Sequence, residues 1–205
     1  MMRCAVLASG RGSDFQAVID AVAAGTCPVE LVRLITDNPS AQAIGRAERS
    51  GIPVTVLDYS AFRDRTEYEA ALRETMEGTG ADLFVLAGYM RLLSRETVRA
   101  FEGRMINIHP ALLPSFPGLR APEQAIAHGV RVAGCTVHFV TEEMDAGPII
   151  LQACVPVLDD DDPASLAARI LVEEHRILPE AIRLYAEGRL RCEGRRVRHL
   201  PPSTG

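Results

Sequence analysis

Short apolar runs, each bounded by polar or turn-forming residues, recur through the first half of the chain. Their length and their content of Val, Leu and Ile are typical of buried β-strands. The runs predict five strands, at residues 4–7, 31–36, 54–57, 83–87 and 105–108.

The segments between these runs have the periodicity of helices. After the first strand, apolar residues recur at i, i+3, i+4 and i+7 from Phe15 onward, which predicts an amphipathic helix. Two further helices are expected at 41–50 and 62–77, ending at Gly51 and Gly78 as C-terminal caps. Alternating strands and helices predict an α/β fold, with a mostly parallel twisted sheet, helices on both faces and a Rossmann-like order.

The second half of the chain changes character. Two strands are expected at 136–140 and 149–157, followed by a long helix at 163–187. Four aspartates at 159–162 precede this helix, where carboxylates cap the first turn and complement the helix dipole; a cation site is the alternative. The segment 189–200 is expected to form a small two-stranded ribbon. The sequence predicts a single domain over 1–205, with a disordered tail at 201–205.

Composition excludes several classes of function. The formal net charge of −5 provides no basic field for holding a nucleic acid. All 22 basic residues are arginines, which removes Schiff-base lysines, pyridoxal chemistry and the lysine of a Walker-type phosphate loop. The five cysteines form no close pair, so neither a disulfide framework nor a zinc site is expected. The chain has no signal-peptide pattern and no membrane-length apolar stretch, and we expect a cytoplasmic protein.

A glycine-rich turn lies between the first strand and the first helix, with the sequence Ser-Gly-Arg-Gly-Ser-Asp at residues 9–14. Free N–H groups at a helix start, with the helix dipole behind them, attract anions. The turn lacks the third glycine of a dinucleotide-binding fingerprint. A phosphate monoester site is therefore favoured, with dinucleotide binding and a purely structural turn as alternatives.

Asn107 and His109 lie two residues apart at the end of the fifth strand, so both side chains are expected on one side of it. A long proline-rich loop, 111–121, follows them, and a loop of this length in a compact domain usually has a function. A carboxamide can stabilise an oxyanion while an imidazole moves protons. The alternative for His109 is a structural histidine at a strand end.

Asp145 precedes Ala-Gly-Pro in a tight turn, where a carboxylate can be held rigidly and can favour the charged form of a nearby imidazole. The alternative is a turn residue whose side chain caps its own backbone. His138 lies in the middle of a predicted strand and is interpreted as structural. The other three histidines fall on helix or tail and are not expected to act as bases: His128, His175 and His199.

Three segments together carry a resemblance over essentially the whole chain: Ala-Gly-Tyr-Met-Arg-Leu-Leu-Ser at 87–94, Asn-Ile-His-Pro-Ala-Leu-Leu-Pro at 107–114, and 134–150. On them the chain resembles glycinamide ribonucleotide formyltransferases. The resemblance implies a formyltransferase fold whose half 1–105 binds a nucleotide phosphate and whose half 106–200 is catalytic and binds folate.

The resemblance also implies roles for individual residues. Asn107, His109 and Asp145 would form the catalytic trio. The residues implied to bind the ribonucleotide are Gly12, Ser13, Asp14 and Glu174. Those implied to bind the folate are Arg65, Met90, Arg91, Leu92, Leu93, Val140, Thr141, Glu142, Glu143 and Met144.

The chain departs from the family pattern at two places. A histidine-bearing stretch is usual where this chain has Gly-Leu-Arg-Ala-Pro-Glu at 118–123, and the family commonly has Asn at position 14. A carboxylate facing a phosphate would be repelled. We therefore expect Asp14 to cap backbone N–H groups of the first helix while its own N–H faces the phosphate.

The implied activity is transfer of a formyl group from 10-formyltetrahydrofolate, as co-substrate, to the amine of 5-phosphoribosylglycinamide in purine biosynthesis. No metal, nucleic acid or membrane partner is expected, and a homodimer is left open. The first alternative is a formyltetrahydrofolate deformylase, which uses the same trio with water as acceptor. A methionyl-tRNA formyltransferase shares the trio but carries a basic tRNA-binding domain, which does not fit the acidic composition. A nucleotide-binding regulatory module does not account for the Asn107, His109 and Asp145 set.

Overall fold

The computed structural model describes residues 1–202 and divides into two compact units, Met1–Ile106 and Asn107–Gly205. The division falls one residue after the boundary predicted between the two halves. In the tail, Pro201 and Pro202 are exposed and have no regular structure, whereas 203–205 lie outside the described residues. No helix of the described part of the chain is long and apolar enough to cross a membrane.

The first unit contains a parallel sheet with the order β3-β2-β1-β4. Its strands are β1 (Met2–Leu7), β2 (Val29–Thr36), β3 (Val54–Val56) and β4 (Leu83–Leu86). A further strand, β5 (Met105–His109), begins in the last two residues of this unit. Its helices are α1 (Ser13–Ala23), α2 (Gln42–Arg49), α3 (Arg65–Gly78) and the short α4 (Arg95–Ala100). Every residue of β4 is buried, as its all-apolar sequence predicts.

The strand order places a switch point between β1 and β4. The chain runs outward from β1 to β3 and then returns to the other side of β1 to form β4. Because crossovers of this kind are right-handed, α1 and α2 cover one face and α3 covers the other. The predicted α/β class is confirmed. Ligands of such sheets bind beyond the carboxyl ends of the strands at the switch point, where the glycine-rich turn leaves β1.

The helix ends confirm one glycine cap and correct the other. Gly51 has φ 67° just after α2, and its N–H donates to the carbonyl of Glu48 at 3.1 Å, as a left-handed cap does. The prediction for Gly78 was wrong, because this residue is still helical. The left-handed position comes two residues later, at Gly80, with φ 60°. Sequence periodicity also gave no sign of the six-residue α4, which is too short to show a repeat.

The second unit combines a mixed sheet with two helices. Continuing from β5, its elements are α5 (Ala121–His128), β6 (Val132–Phe139), β7 (Ile149–Pro156), α6 (Pro163–Ala186), β8 (Leu190–Glu193) and β9 (Arg196–His199). Strands β6 and β7 are antiparallel, and α6 packs against both. The predicted ribbon is confirmed as the antiparallel pair β8 and β9. The predicted loop 111–121 ends where α5 begins.

The acidic turn before α6 caps that helix. Asp162 accepts from the N–H of Ser165 at 2.7 Å, and the Ser165 hydroxyl accepts in return from the N–H of Asp162 at 3.0 Å. Asp161 accepts from the Arg169 guanidinium at 2.6 and 2.9 Å. The structure therefore supports the capping interpretation, and the described residues contain no group that could hold a metal ion.

The Asp161–Arg169 pair gives the stability of the second unit an acid dependence. Hydrogen bonds from Arg169, and then from the Leu158 N–H, hold the pKa of Asp161 below its ordinary value of 3.8. A carboxyl whose pKa is lower in the folded state stabilises the fold at pH values above its ordinary pKa. This contribution declines as the pH falls below that pKa. We expect Asp161→Asn to lower the Tm at neutral pH by more than the matched charge removal Asp160→Asn does.

The Tm difference between wild type and Asp161→Asn should narrow as the pH is lowered from about 6 to about 3. Thermal unfolding followed by circular dichroism across this range measures the difference directly. A difference that stays constant with pH would show that the pair contributes nothing through its charge.

Candidate active site

Strand β5 presents Asn107 and His109 on one side, as the two-residue spacing predicts. His109 is buried, with 5% of its surface exposed, and Asn107 is half-buried. In the second unit the structure brings Asp145 to the same place. All three members of the predicted trio therefore lie together.

The His109 ring lies between a carbonyl and a carboxylate. Its Nε2 is 2.9 Å from the carbonyl oxygen of Phe116, and its Nδ1 is 3.5 Å from Oδ2 of Asp145. A carbonyl oxygen only accepts, so Nε2 carries a hydrogen. The separation at Nδ1 is longer than an ordinary N–H···O hydrogen bond. Of the two ring nitrogens, Nδ1 is therefore the less tightly engaged.

Asp145 is held by its backbone as well as by its neighbours. Its φ of 51° is in the left-handed region, and its Oδ2 accepts from the N–H of Gly118 at 2.8 Å. Two residues later, a Cβ on Gly147 would overlap the carbonyl oxygen of Phe139, so the turn fits against the end of β6 only with glycine there. The expectation of a rigid carboxylate at this turn agrees with this geometry.

His138 is a member of the cluster that the sequence did not reveal. Its Nε2 is 3.1 Å from Nδ2 of Asn107 and 3.7 Å from Oδ1 of Asp145. Burial lowers the pKa of His138 below 6.5, because desolvation disfavours the charged ring. Its position in the middle of a strand suggested a structural role. The sequence could not show the contact with Asn107, because that contact depends on the pairing of strands that are distant in sequence.

The glycine-rich turn forms the N-terminal end of α1. Gly12 is the N-cap, with φ 66°, and a Cβ on it would lie 2.7 Å from Cβ of Ala43. The N-cap makes no side-chain hydrogen bond, and Asp14 lies inside the first helical turn. The expectation that Asp14 caps this helix was therefore wrong, because the left-handed turn starts the helix two residues earlier than a capping aspartate requires.

The first unit brings together the predicted folate residues that lie on separate elements. The Arg65 guanidinium donates to the carbonyl of Leu92 at 2.8 Å, and the Met90 N–H donates to the Ser9 hydroxyl at 2.9 Å. Met90 and Leu92 are exposed, with 62% and 58% of their surfaces accessible, whereas Leu93 is buried.

Arg91 forms an ion pair and packs against an aromatic ring. It donates to Asp37 at 2.8 Å, and its guanidinium carbon is 3.7 Å from the ring centre of Tyr59. The hydrogen bond to Asp37 raises the pKa of Arg91 above its usual value. These groups line a cavity of about 410 Å³ in the first unit.

The other residues predicted to bind the folate lie in the second unit, and so does Glu174, which was predicted to bind the ribonucleotide. Thr141, Glu142, Glu143 and Met144 form an exposed loop between β6 and β7, and Val140 is half-buried at its start. The Thr141 hydroxyl donates to the carbonyl of Glu143 at 3.1 Å. Glu174 lies on α6 with 7% of its surface exposed.

Comparison with known proteins identifies the family. The sequence pattern of the family described as formyl transferase matches residues 2–182. The chain belongs to this family. This formyl transferase is 41% identical to the phosphoribosylglycinamide formyltransferase of Escherichia coli K12 over 190 residues, covering 93% of the chain and 90% of that protein.

The other similar proteins include longer chains. The trifunctional purine biosynthetic protein adenosine-3 of Bos taurus is 43% identical over 92% of this formyl transferase, which spans 19% of that protein's length. The glycinamide ribonucleotide transformylase 1 structure from Symbiobacterium toebii has a TM-score of 0.95 and 53% identity, covering 98% of this chain and 95% of that one. A formyltetrahydrofolate deformylase from Pseudomonas syringae pv. tomato has a TM-score of 0.91 at 26% identity, covering 98% and 66%.

The contact between Gly12 and Ala43 generates a test of the glycine-rich turn. We expect Gly12→Ala to lower the Tm by several degrees, because the left-handed φ costs an alanine about 1 kcal/mol and the new Cβ is also crowded. Gly10→Ala is the matched control in the same turn, since a Cβ there meets no atom within 4 Å and φ is not positive. Equal Tm values for the two variants, measured by thermal unfolding, would contradict this geometry.

Proposed function

We propose that this formyl transferase moves a formyl group from 10-formyltetrahydrofolate to the amine of 5-phosphoribosylglycinamide, a step of purine biosynthesis. The observation that carries the proposal is the cluster of Asn107, His109 and Asp145, in which a carboxamide, an imidazole and a carboxylate meet within the second unit. The matching Escherichia coli protein, which carries that activity in its name and is covered over 90% of its length, supports it.

The reaction places negative charge on the formyl oxygen when the amine attacks the formyl carbon. Two N–H donors stabilise that oxygen in this proposal. Asn107 supplies the second hydrogen of Nδ2, since the first faces His138. His109 supplies the hydrogen on Nδ1, because its Nε2–H is engaged by Phe116 at 2.9 Å. Removing one such donor costs about 100 to 1000-fold in turnover in other acyl-transfer enzymes.

Asp145 has two roles in the proposed mechanism. In this proposal its carboxylate, 3.5 Å from Nδ1, pairs with the charged His109 ring that donates to the formyl oxygen. Through a water molecule, Asp145 also accepts the proton that the attacking amine sheds, before the leaving folate nitrogen is protonated. No covalent enzyme intermediate is required, since the amine is itself the nucleophile. The scheme also requires no metal ion.

The substrates are assigned to the predicted binding residues. We place the ribonucleotide on Gly12, Ser13, Asp14 and Glu174, with the phosphate at the N-terminal end of α1. We place the folate on Arg65, on Met90, Arg91, Leu92 and Leu93, and on the loop of Val140, Thr141, Glu142, Glu143 and Met144. The exposed side chains of Met90 and Met144 suit an apolar ring system. A cytoplasmic location and a homodimer remain predictions.

Deformylation is the second candidate, because the Pseudomonas syringae deformylase has the same fold and water could replace the amine. The two activities separate in one assay. Absorbance measures the release of tetrahydrofolate from the 10-formyl donor. We expect this release only when 5-phosphoribosylglycinamide is present. Rapid release with water alone would overturn the transferase proposal in favour of the hydrolase.

The roles of His109 and Asp145 are tested by substitution. We expect His109→Ala and Asp145→Asn each to lower kcat by at least about 100-fold with the fold retained, because each removes an oxyanion or proton-transfer partner. The double variant should lose much less than the product of the two losses, since both residues act through one imidazole. Steady-state kinetics measures kcat of the single and double variants, and circular dichroism shows whether each variant is folded.

His199→Ala is the matched control, because His199 lies in the same unit and its Nε2 donates to the carbonyl of Ile150 at 2.9 Å, outside the cluster. We expect its kcat to stay within about twofold of wild type. Near-normal turnover in His109→Ala or Asp145→Asn would remove that residue from the mechanism.

A further inference from the structure

His138 contacts Asn107, a member of the predicted trio, without belonging to the trio itself. Its ring is buried, with 2% of the residue exposed. Nδ1 is 2.9 Å from the carbonyl oxygen of Phe139, the next residue along β6, and Nε2 is 3.1 Å from Nδ2 of Asn107. Both ring nitrogens are therefore within hydrogen-bond distance of a polar atom, and one of these atoms is on a residue assigned to the formyl oxygen.

The two contacts determine which tautomer His138 adopts. A carbonyl oxygen only accepts, so the hydrogen lies on Nδ1. Burial disfavours a second proton on the ring, since it lowers the pKa of His138. Nε2 then carries a lone pair and accepts a hydrogen bond. A primary amide can satisfy it only with its NH₂ group, so the ring determines which end of the Asn107 carboxamide faces it.

Asp145 and His109 are the charged and titratable groups that act on the His138 ring. Asp145 Oδ1 lies 3.7 Å from Nε2, longer than the 2.9 Å of the Phe139 contact and outside hydrogen-bond distance. The charge of Asp145 favours a proton on His138 and His109 disfavours it, but burial is the largest effect and lowers the pKa of His138. A proton on Nε2 would turn the carboxamide over, because the amide would then have to present its oxygen to the ring.

The backbone holds the ring in place. The pairing of β6 with β7 shifts register between Val137 and His138, so His138 lies opposite Ile149 rather than continuing the preceding register. The Phe139 carbonyl that accepts from Nδ1 is the oxygen that a side chain at position 147 would strike. The bulge and the glycine thus hold the Phe139 carbonyl in position to accept from Nδ1. Because the hydrogen is on Nδ1, Nε2 has a lone pair and accepts.

We propose that His138 is a positioning residue, a neutral ring protonated on Nδ1 that holds the Asn107 carboxamide with its NH₂ group available to the formyl oxygen. This rests on the proposed function, in which Asn107 is an oxyanion donor. If the carboxamide turned over, its oxygen would replace the donor and would repel the developing charge. His138 therefore acts on the reaction through Asn107 and touches neither substrate.

Two substitutions separate positioning from simple filling of space. His138→Leu removes the acceptor at Nε2, and we expect kcat to fall by about 100-fold or more while the KM values of both substrates change less than about threefold. His138→Gln places an amide oxygen near the position of Nε2 and should keep kcat within about tenfold of wild type. In an Asn107→Ala background, His138→Leu should cost no further turnover, because the residue it acts through is gone.

His199→Leu is the matched control and should leave kcat within about twofold, since its Nε2 contacts the Ile150 carbonyl outside this cluster. Additive losses in the double variant, or a His138→Gln kcat as low as that of a folded His138→Leu, would overturn the proposal.

A second measurement needs no variant. The ¹⁵N shifts of the His138 ring in the wild-type protein at neutral pH should be those of a neutral imidazole protonated on Nδ1. A ring that is charged, or protonated on Nε2 alone, overturns the proposal even if every variant unfolds. Wild-type protein that transfers no formyl group would instead contradict the proposed function, so the two failures are distinguishable.

Discussion

The contact of His109 with the carbonyl of Phe116 on one side and the carboxylate of Asp145 on the other is the constraint on which the proposed site depends. Both flanking residues have a positive φ, 54° at Phe116 and 51° at Asp145. That conformation costs an L-residue about 1–2 kcal/mol, so it persists only where surrounding contacts hold it. The hydrogen bond from Gly118 to Asp145 ties the two turns together around the ring.

Two imidazoles share one carboxylate in this cluster, and their surroundings give them different roles. His138 is buried and has a carbonyl partner on Nδ1, which favours a neutral ring that accepts at Nε2. His109 has its Nδ1 3.5 Å from Asp145, and the proposed mechanism uses this nitrogen as a donor. Groups with divergent environments of this kind divide acid and base roles between them. The proposal for formyl transfer needs both states at once, one to hold Asn107 and one to bind the oxygen.

Much of this arrangement could be predicted from the sequence, because local patterns determine it. The strands of the first unit are short, mostly apolar runs, and the two-residue spacing of Asn107 and His109 placed both side chains on one side of β5. Two local predictions were wrong, the cap at Gly78 and the cap by Asp14, since each depended on where a helix ends or begins within one or two residues.

The role of His138 could not be predicted, for a different reason. Its contact with Asn107 joins residues 31 positions apart, and it depends on a register shift within the β6–β7 pair. Neither the pairing of strands nor the tautomer of a ring is encoded in spacing along the chain. One signal was available in the sequence. His138 is a polar residue in a buried strand, on the same side of it as Thr136, and a buried histidine needs hydrogen-bond partners.

The central claim is that the cluster in the second unit directs a formyl group to an amine rather than to water. A single-turnover reaction of the wild-type protein with a donor labelled with ¹³C in the formyl group, analysed by mass spectrometry, tests it most directly. The account predicts that the label appears in the N-formyl product of 5-phosphoribosylglycinamide. Recovery of the label as formate, with the ribonucleotide unchanged, would contradict it.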